Sequence, residues 1–370
     1  MASTVDLDDR FDISGPAHIM SRSGACRSSA MMIDWNNEED RRCVAACLVK
    51  GTYILENDRT MCRVDAEALA PAWWESFHFR LVEVLKEESF RRRNDRLTFG
   101  AIFEHVPPAG GRRHPSAPQY IVAFRGTMVA HPKAIHDVLL DLKIIANTLP
   151  DSKRSQRAHR AVDTLLAAIA KKGTGSRAVW LAGHSLGASL ALEVGRTMMA
   201  EQGVSLPTFL FNPPHVSSSP AINKILPSEG LRRELHAKSA LVKAGLGLVL
   251  CPHRKRMERL FERLALWAPN LYVHDRDVIC QGFVDYFRQR QQLEEHCKSA
   301  TTLSYRDMLF STLGMEKEQP HLLPSATLWT NSSTDGGAHV IQQSLAAHEL
   351  QQWWKPDGEL TLIASRYSFA

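Results

Sequence analysis

The chain has 370 residues, 44 % of them hydrophobic, enough to build a substantial buried core, so disorder is excluded as the default. Its 45 basic and 40 acidic residues leave a formal charge of +5, too small at this length to mark a nucleic-acid-binding surface, and no nucleic acid partner is expected. The 7 cysteines include no C-x-x-C pair, which argues against a zinc or dithiol redox centre and fits a reducing compartment.

Residues 1–31 are rich in Ser, Arg and Asp and show no hydrophobic period, so they read as a partly flexible segment ahead of a domain over 32–370. No apolar block before residue 30 suggests a secretory signal, and Asp6, Asp8 and Asp9 are too acidic for a transit peptide; a cytoplasmic location is expected. Val44, Cys47 and Leu48 recur at helical spacing, with Cys43 and Cys47 on one face as small apolar side chains. Leu81, Val82, Val84 and Leu85 show similar spacing and also predict a helix. The apolar runs Phe99 to Phe103 and Tyr120 to Phe124 flank a segment with four prolines between 106 and 118, which predicts a hairpin around a surface loop.

From there strands and helices alternate. Ala161, Val162, Leu165, Leu166 and Ile169 mark a helix, 178–181 a short strand, 186–199 a helix, 208–211 a strand and 271–274 another. That alternation predicts an α/β fold with a mainly parallel sheet flanked by helices. The interval of about 229–267 is mostly helical in pattern and too long for a plain sheet connection, so it reads as an inserted cap or lid. Its apolar positions Leu241, Ala244, Leu248, Leu260, Leu264 and Trp267 would suit either an acyl pocket or ordinary packing. The longest apolar run, Ala244 to Cys251, is bounded by Lys243 and Pro252 and is too short to span a bilayer. Two basic runs, Arg91-Arg92-Arg93 and His253-Arg254-Lys255-Arg256, could meet an anionic membrane surface, although solvated helix ends or loops are the ordinary reading.

The most informative segment is Gly183-His184-Ser185-Leu186-Gly187, between the apolar run Ala178 to Leu181 and the helical run Leu190, Ala191, Val194, Met198. A serine hydroxyl is a weak nucleophile. It needs exposure at a sharp turn, a neighbouring base, and donors aimed at the developing oxyanion. Glycines two positions either side permit such a strand-to-helix reversal, because side chains there would collide with the flanking strand and helix. The motif alone is weak; its strand-before, helix-after context is what points to the nucleophile elbow of an α/β-hydrolase fold, with Ser185 as nucleophile. Upstream, Ile121 to Phe124 runs into Arg125-Gly126-Thr127, a polar strand end able to supply an oxyanion donor; backbone N–H of Thr127 and Leu186 are the expected pair.

These segments resemble a known family. Phe124-Arg125-Gly126-Thr127, Asp141, His159 and Gly183-His184-Ser185-Leu186-Gly187 follow the order and approximate spacing of class 3 lipases, the fungal-type triacylglycerol lipases. A departure is Ala188, where those lipases usually carry a further glycine. The chain is more similar to a plant subgroup of lipase-like α/β hydrolases labelled GDSL esterase/lipase, although no G-D-S-L tetrapeptide occurs in it. That likeness spans nearly everything after Phe11 and includes Ser14-Gly15-Pro16, Asp34-Trp35-Asn36-Asn37, Pro71-Ala72-Trp73-Trp74, Phe211-Asn212-Pro213-Pro214, Asn270-Leu271-Tyr272-Val273 and Gln352-Trp353-Trp354-Lys355-Pro356-Asp357.

The fold's chain order of Ser, then acid, then His places both partners downstream of Ser185. The resemblance implies Asp277 as the acid, in a D-x-I/V context after the strand ending at 274, with Asp275 as rival. It implies His348 as the base, in a tail where the plant relatives carry A-H-x-x-H-Q-W-W; their second histidine is replaced here by Gln351, which cannot act as a base. His339 is the main rival, with His321 and His296 behind it. The implied activity is hydrolysis of a small-molecule or lipid carboxylic ester through an acyl-enzyme, with no cofactor and no metal. A non-catalytic binding protein on the same fold, or an acyltransferase, are the competing readings.

Overall fold

The computed structural model describes residues 4–24, 33–88, 96–107, 111–127, 149–171, 173, 175–215, 251–294, 323–333 and 340–369. Among these residues eight strands form one sheet whose spatial order is the chain order: β1 (Phe79–Glu88), β2 (Arg96–His105), β3 (Tyr120–Phe124), β4 (Val179–His184), β5 (Thr208–Phe211), β6 (Asn270–His274), β7 (Ala326–Asn331) and β8 (Leu362–Tyr367). β3 to β7 pair in parallel, and the outer pairings β1–β2, β2–β3 and β7–β8 are antiparallel. The fold is therefore α/β, with a mostly parallel mixed sheet.

Strand order equal to chain order has a direct packing consequence. Right-handed crossovers repeated in one direction lay every crossover helix on the same face. The helices Lys153–Lys171, Leu186–Gln202, Cys251–Leu264 and Gly282–Glu294 follow β3, β4, β5 and β6. Their buried residues, among them Val162, Leu190, Val194, Leu264, Phe283 and Phe287, share one core with Val122, Phe124, Leu181, Leu210 and Leu271 of the strands. The alternate strand positions Ile121, Trp180, Phe209, Phe211 and Tyr272 point the other way into a second core. Two-sided burial of this kind explains why these strands read as continuous apolar runs.

The second face needs a cover that the described crossover helices do not supply. It comes from the 24-residue helix Glu38–Met61, capped by the Asn37 side chain on the Glu39 amide at 2.8 Å, with three acidic residues in its first turn. Trp35, Trp73, Trp74, Trp353 and Trp354 fill the space around it. Arg42 of this helix is 1 % exposed and donates to the Trp353 carbonyl at 3.0 Å, to the Lys355 carbonyl at 2.8 Å and to Asp357 at 2.5 Å. Trp73 Nε1 donates to the Asp9 carbonyl at 2.7 Å and Trp354 Nε1 to that of Ser14 at 2.9 Å. Each fully buried aromatic contributes on the order of 2–3 kcal/mol, so this face is a major source of stability.

The described residues bear on three expectations. Residues 4–24, placed ahead of the ordered domain, form three short helices, and Phe11 and Ile19 are buried in the second core. Their apolar residues are too few to show a period, and polar ones such as Asp9 and Arg22 bond to Asn57 and Asp40 of the helix Glu38–Met61 at 3.0 and 2.8 Å. Leu81 to Leu85 is strand, not helix: an extra residue, Val82, between the pairs Leu81–Phe103 and Glu83–Ile102 breaks the two-residue alternation and mimics helical spacing. In the expected cap over 229–267, the part within the described residues packs as core, with Leu264 and Trp267 at most 1 % exposed and the Trp267 ring close against Gly195. Leu241, Ala244 and Leu248 lie outside the described residues. Among the described residues no helix is long and apolar enough to cross a membrane.

Candidate active site

The parallel strands deliver their carboxyl ends to one edge, where ligands of open α/β sheets bind. β4 ends at His184 and the next helix starts at Leu186, leaving Ser185 alone in the bend at φ 53°, ψ −126°, a conformation few side chains adopt. The motif glycines are required by contact. A Cβ on Gly183 would lie 2.2 Å from the Gly187 carbonyl oxygen, and one on Gly187 would lie 2.3 Å from that of Phe124. The bend is pinned from the side by the Ser185 amide, which donates to the Phe211 carbonyl at 3.0 Å.

Ser185 Oγ lies 3.0 Å from His348 Nε2, and His348 Nδ1 lies 2.7 Å from Asp277 Oδ2. The three side chains named from the sequence therefore converge, although they come from the β4 bend, the turn after β6, and the end of the helix Val340–His348. Asp277 is fully buried and receives, besides His348, the Asn212 amide at 2.7 Å, the Cys280 thiol at 2.9 Å and the Ile279 N–H at 2.9 Å. Burial by itself would push this carboxyl up. The neighbouring His348 and the donated hydrogen bonds outweigh it and hold Asp277 below the usual carboxylate range. The rival Asp275 is 42 % exposed and pairs with His274 at 3.3 Å. His339, His321, His296 and Asp141 lie outside the described residues. His159 sits elsewhere, 3.0 Å from Glu193. Gln351 is exposed.

Leu186 opens its helix, so its N–H has no acceptor within that helix. Thr127 is exposed at the strand end three residues past β3. Between them Gly126 fits tightly: a Cβ there would meet Tyr53 Oη at 2.7 Å, Ser185 Cβ at 2.8 Å and the His184 carbonyl at 2.9 Å.

Sequence reasoning missed the residues that hold this arrangement. Asn212, at φ 47° directly after β5, donates to Asp277 and to the Ala347 carbonyl at 2.9 Å while its oxygen accepts the Trp353 indole N–H at 2.5 Å. Asn tolerates that backbone region, which, together with its place after a strand, was the available signal. Gln352 donates to the Ala347 carbonyl at 2.7 Å and to that of Glu349 at 2.9 Å, and accepts from Asn331 at 3.0 Å, fixing the backbone around the histidine. Tyr53 and His184 also reach the site. Among the described residues no group of three or more His, Cys, Asp or Glu is arranged to hold a metal ion.

No family model matches the chain, and no solved structure does. The likeness to class 3 lipases thus has no support at the level of family. A GDSL esterase/lipase of Arabidopsis thaliana is 33 % identical over 378 residues, which cover 97 % of this chain and 98 % of that protein. With agreement of that extent from end to end, the chain belongs to this GDSL esterase/lipase family.

Proposed function

We propose that the protein is a serine carboxylic-ester hydrolase of the α/β-hydrolase fold, with Ser185 as nucleophile, His348 as general base and acid, and Asp277 as its orienting carboxylate. The observation that carries the reading is the continuous hydrogen-bonded line from Ser185 Oγ through both nitrogens of His348 to Asp277, at 3.0 and 2.7 Å. Nδ1–H donates to the carboxylate, which leaves Nε2 as the acceptor for the serine proton.

In the proposed cycle Nε2 takes that proton as Oγ bonds to the ester carbonyl carbon. The carbonyl oxygen becomes an oxyanion facing the N–H groups of Leu186 and Thr127. Gly126 N–H is not available for this, since it donates to Tyr53 Oη at 2.7 Å. Collapse breaks the bond to the alcohol oxygen, which leaves with the proton from His348, and an acyl-serine remains. Water, deprotonated by the same nitrogen, then releases the acid and regenerates Ser185. The named activity of the Arabidopsis relative supports an ester substrate, small or lipidic.

Ser185→Ala is the decisive variant. Hydrolysis of a short-chain nitrophenyl ester should fall by about 10⁴-fold or more, and labelling by a fluorophosphonate should disappear, with thermal unfolding little changed. Wild-type protein that neither labels nor turns over would instead leave a binding protein on this fold.

A further inference from the structure

A second line of hydrogen bonds runs beside the first and uses two side chains that the proposed chemistry leaves idle. His184 Nε2 lies 2.8 Å from the backbone carbonyl of His348. A carbonyl oxygen only accepts, so Nε2 carries the hydrogen. The neutral ring then offers Nδ1 as acceptor, and the partner 2.8 Å away is Tyr53 Oη, which must donate. The same oxygen accepts the Gly126 N–H at 2.7 Å. All the bonds run in one sense, from Gly126 through Tyr53 to the His184 ring and on to His348.

Each end of the line is a working part of the site. Gly126 precedes Thr127 at the oxyanion corner, His184 precedes the nucleophile, and His348 is the base. The imidazole is buried at 7 % exposure, where an apolar side chain would fill the space without the cost of desolvating a polar ring. Burial and the neighbouring His348 lower its pKa to about 3, so the ring stays neutral and the sense of the line is fixed. Turning the ring over would break both of its bonds at once. Resting on the Ser-His-Asp reading above, we propose that Tyr53 and His184 are positioning residues, a polar strut that sets the separation of the base from the oxyanion corner across the nucleophile bend. Neither touches substrate. Their effect is on the geometry in which the proton moves and the oxyanion is received.

Three variants and one spectrum test this. With active protein counted by fluorophosphonate titration, Tyr53→Phe should lower kcat for the nitrophenyl ester about 10- to 100-fold while KM stays within about twofold. His184→Gln, whose amide N–H can still reach the His348 carbonyl, should retain more kcat than His184→Phe, which fills the space without bonding. Long-range ¹⁵N–¹H spectra of the wild-type protein should show His184 as a neutral ring protonated on Nε2. The strut is refuted by a Tyr53→Phe kcat equal to wild type, by a loss confined to KM, or by a His184 ring protonated on Nδ1 or on both nitrogens. Should Tyr53→Phe fail to fold, equal kcat in the two His184 variants refutes it just as well. An inactive, unlabelled wild type would overturn the proposed hydrolysis instead, and the tautomer would still decide the strut.

Discussion

The two halves of the site are built in opposite ways. The bend at Ser185 is local: five consecutive residues, two glycines with no room for a side chain, and one strained serine. The half around His348 and Asp277 is assembled from afar, with Asn212, Asp277, Cys280, Ala347, Gln352 and Trp353 brought together by side-chain hydrogen bonds across more than a hundred residues of chain. Steric demands of the first kind leave a fixed spacing in the sequence. A hydrogen-bond network of the second kind leaves no spacing, because its members are adjacent only after folding.

The largest effect expected from breaking the second half is Asp277→Asn. The amide disfavours the productive tautomer of His348, and kcat should drop by about 10⁴-fold. Asp275→Asn, two residues away and exposed, should stay within about threefold of wild type, since a surface ion pair contributes little. Equal losses in the two would erase the distinction drawn between them.

Breaking the first half should cost stability as well as rate. In Gly187→Ala the added carbon faces the backbone oxygens of Phe124 and Arg125, which cannot swing aside as a side chain would. A loss of about 1–3 kcal/mol in urea unfolding is expected. Gly175→Ala, with nothing within 4 Å of the added carbon, serves as the control and should change stability by about 0.5 kcal/mol or less.

A further effect separates stability from chemistry by pH. Burial lowers His184 to about 3 and His105 to about 4, against an ordinary value of 6.5. Between those limits the unfolded chain binds protons that the folded chain refuses, so stability rises with pH there and is lost as pH falls from 6.5. The depressed Asp277 acts in the same direction at lower pH. Urea midpoints at pH 7 and pH 4.5 should show the loss. His105→Phe, remote from Ser185 and keeping its ring contacts with Trp35 and Phe79, should shrink that loss and leave turnover at pH 7 unchanged.

The same contrast explains what was legible in the sequence. Strands β3 to β6 and the helix after Ser185 could be read because both faces of the sheet are buried and apolar runs follow. Strand β1 could not, since its bulge at Val82 counterfeits a helical period. Ser185 emerged from residues alone, whereas Asp277 and His348 needed a family likeness to single them out among several acids and histidines. Tyr53 and His184 gave no sign, because a tyrosine in a long helix and a histidine before a serine have ordinary packing roles far more often.

A sheet ordered 1 to 8 along the chain never requires a late strand to slip between two earlier ones. Each addition meets a free edge, so growth can proceed in a single direction as the polypeptide emerges during synthesis. Ser185 is in place by the fourth addition, but His348, the imidazole proposed to serve it, belongs to the connection between the seventh and the eighth. On the proposed triad, reactivity is withheld until the sheet is almost finished, and regain of turnover on refolding should track the slowest docking step and lag behind recovery of helical signal.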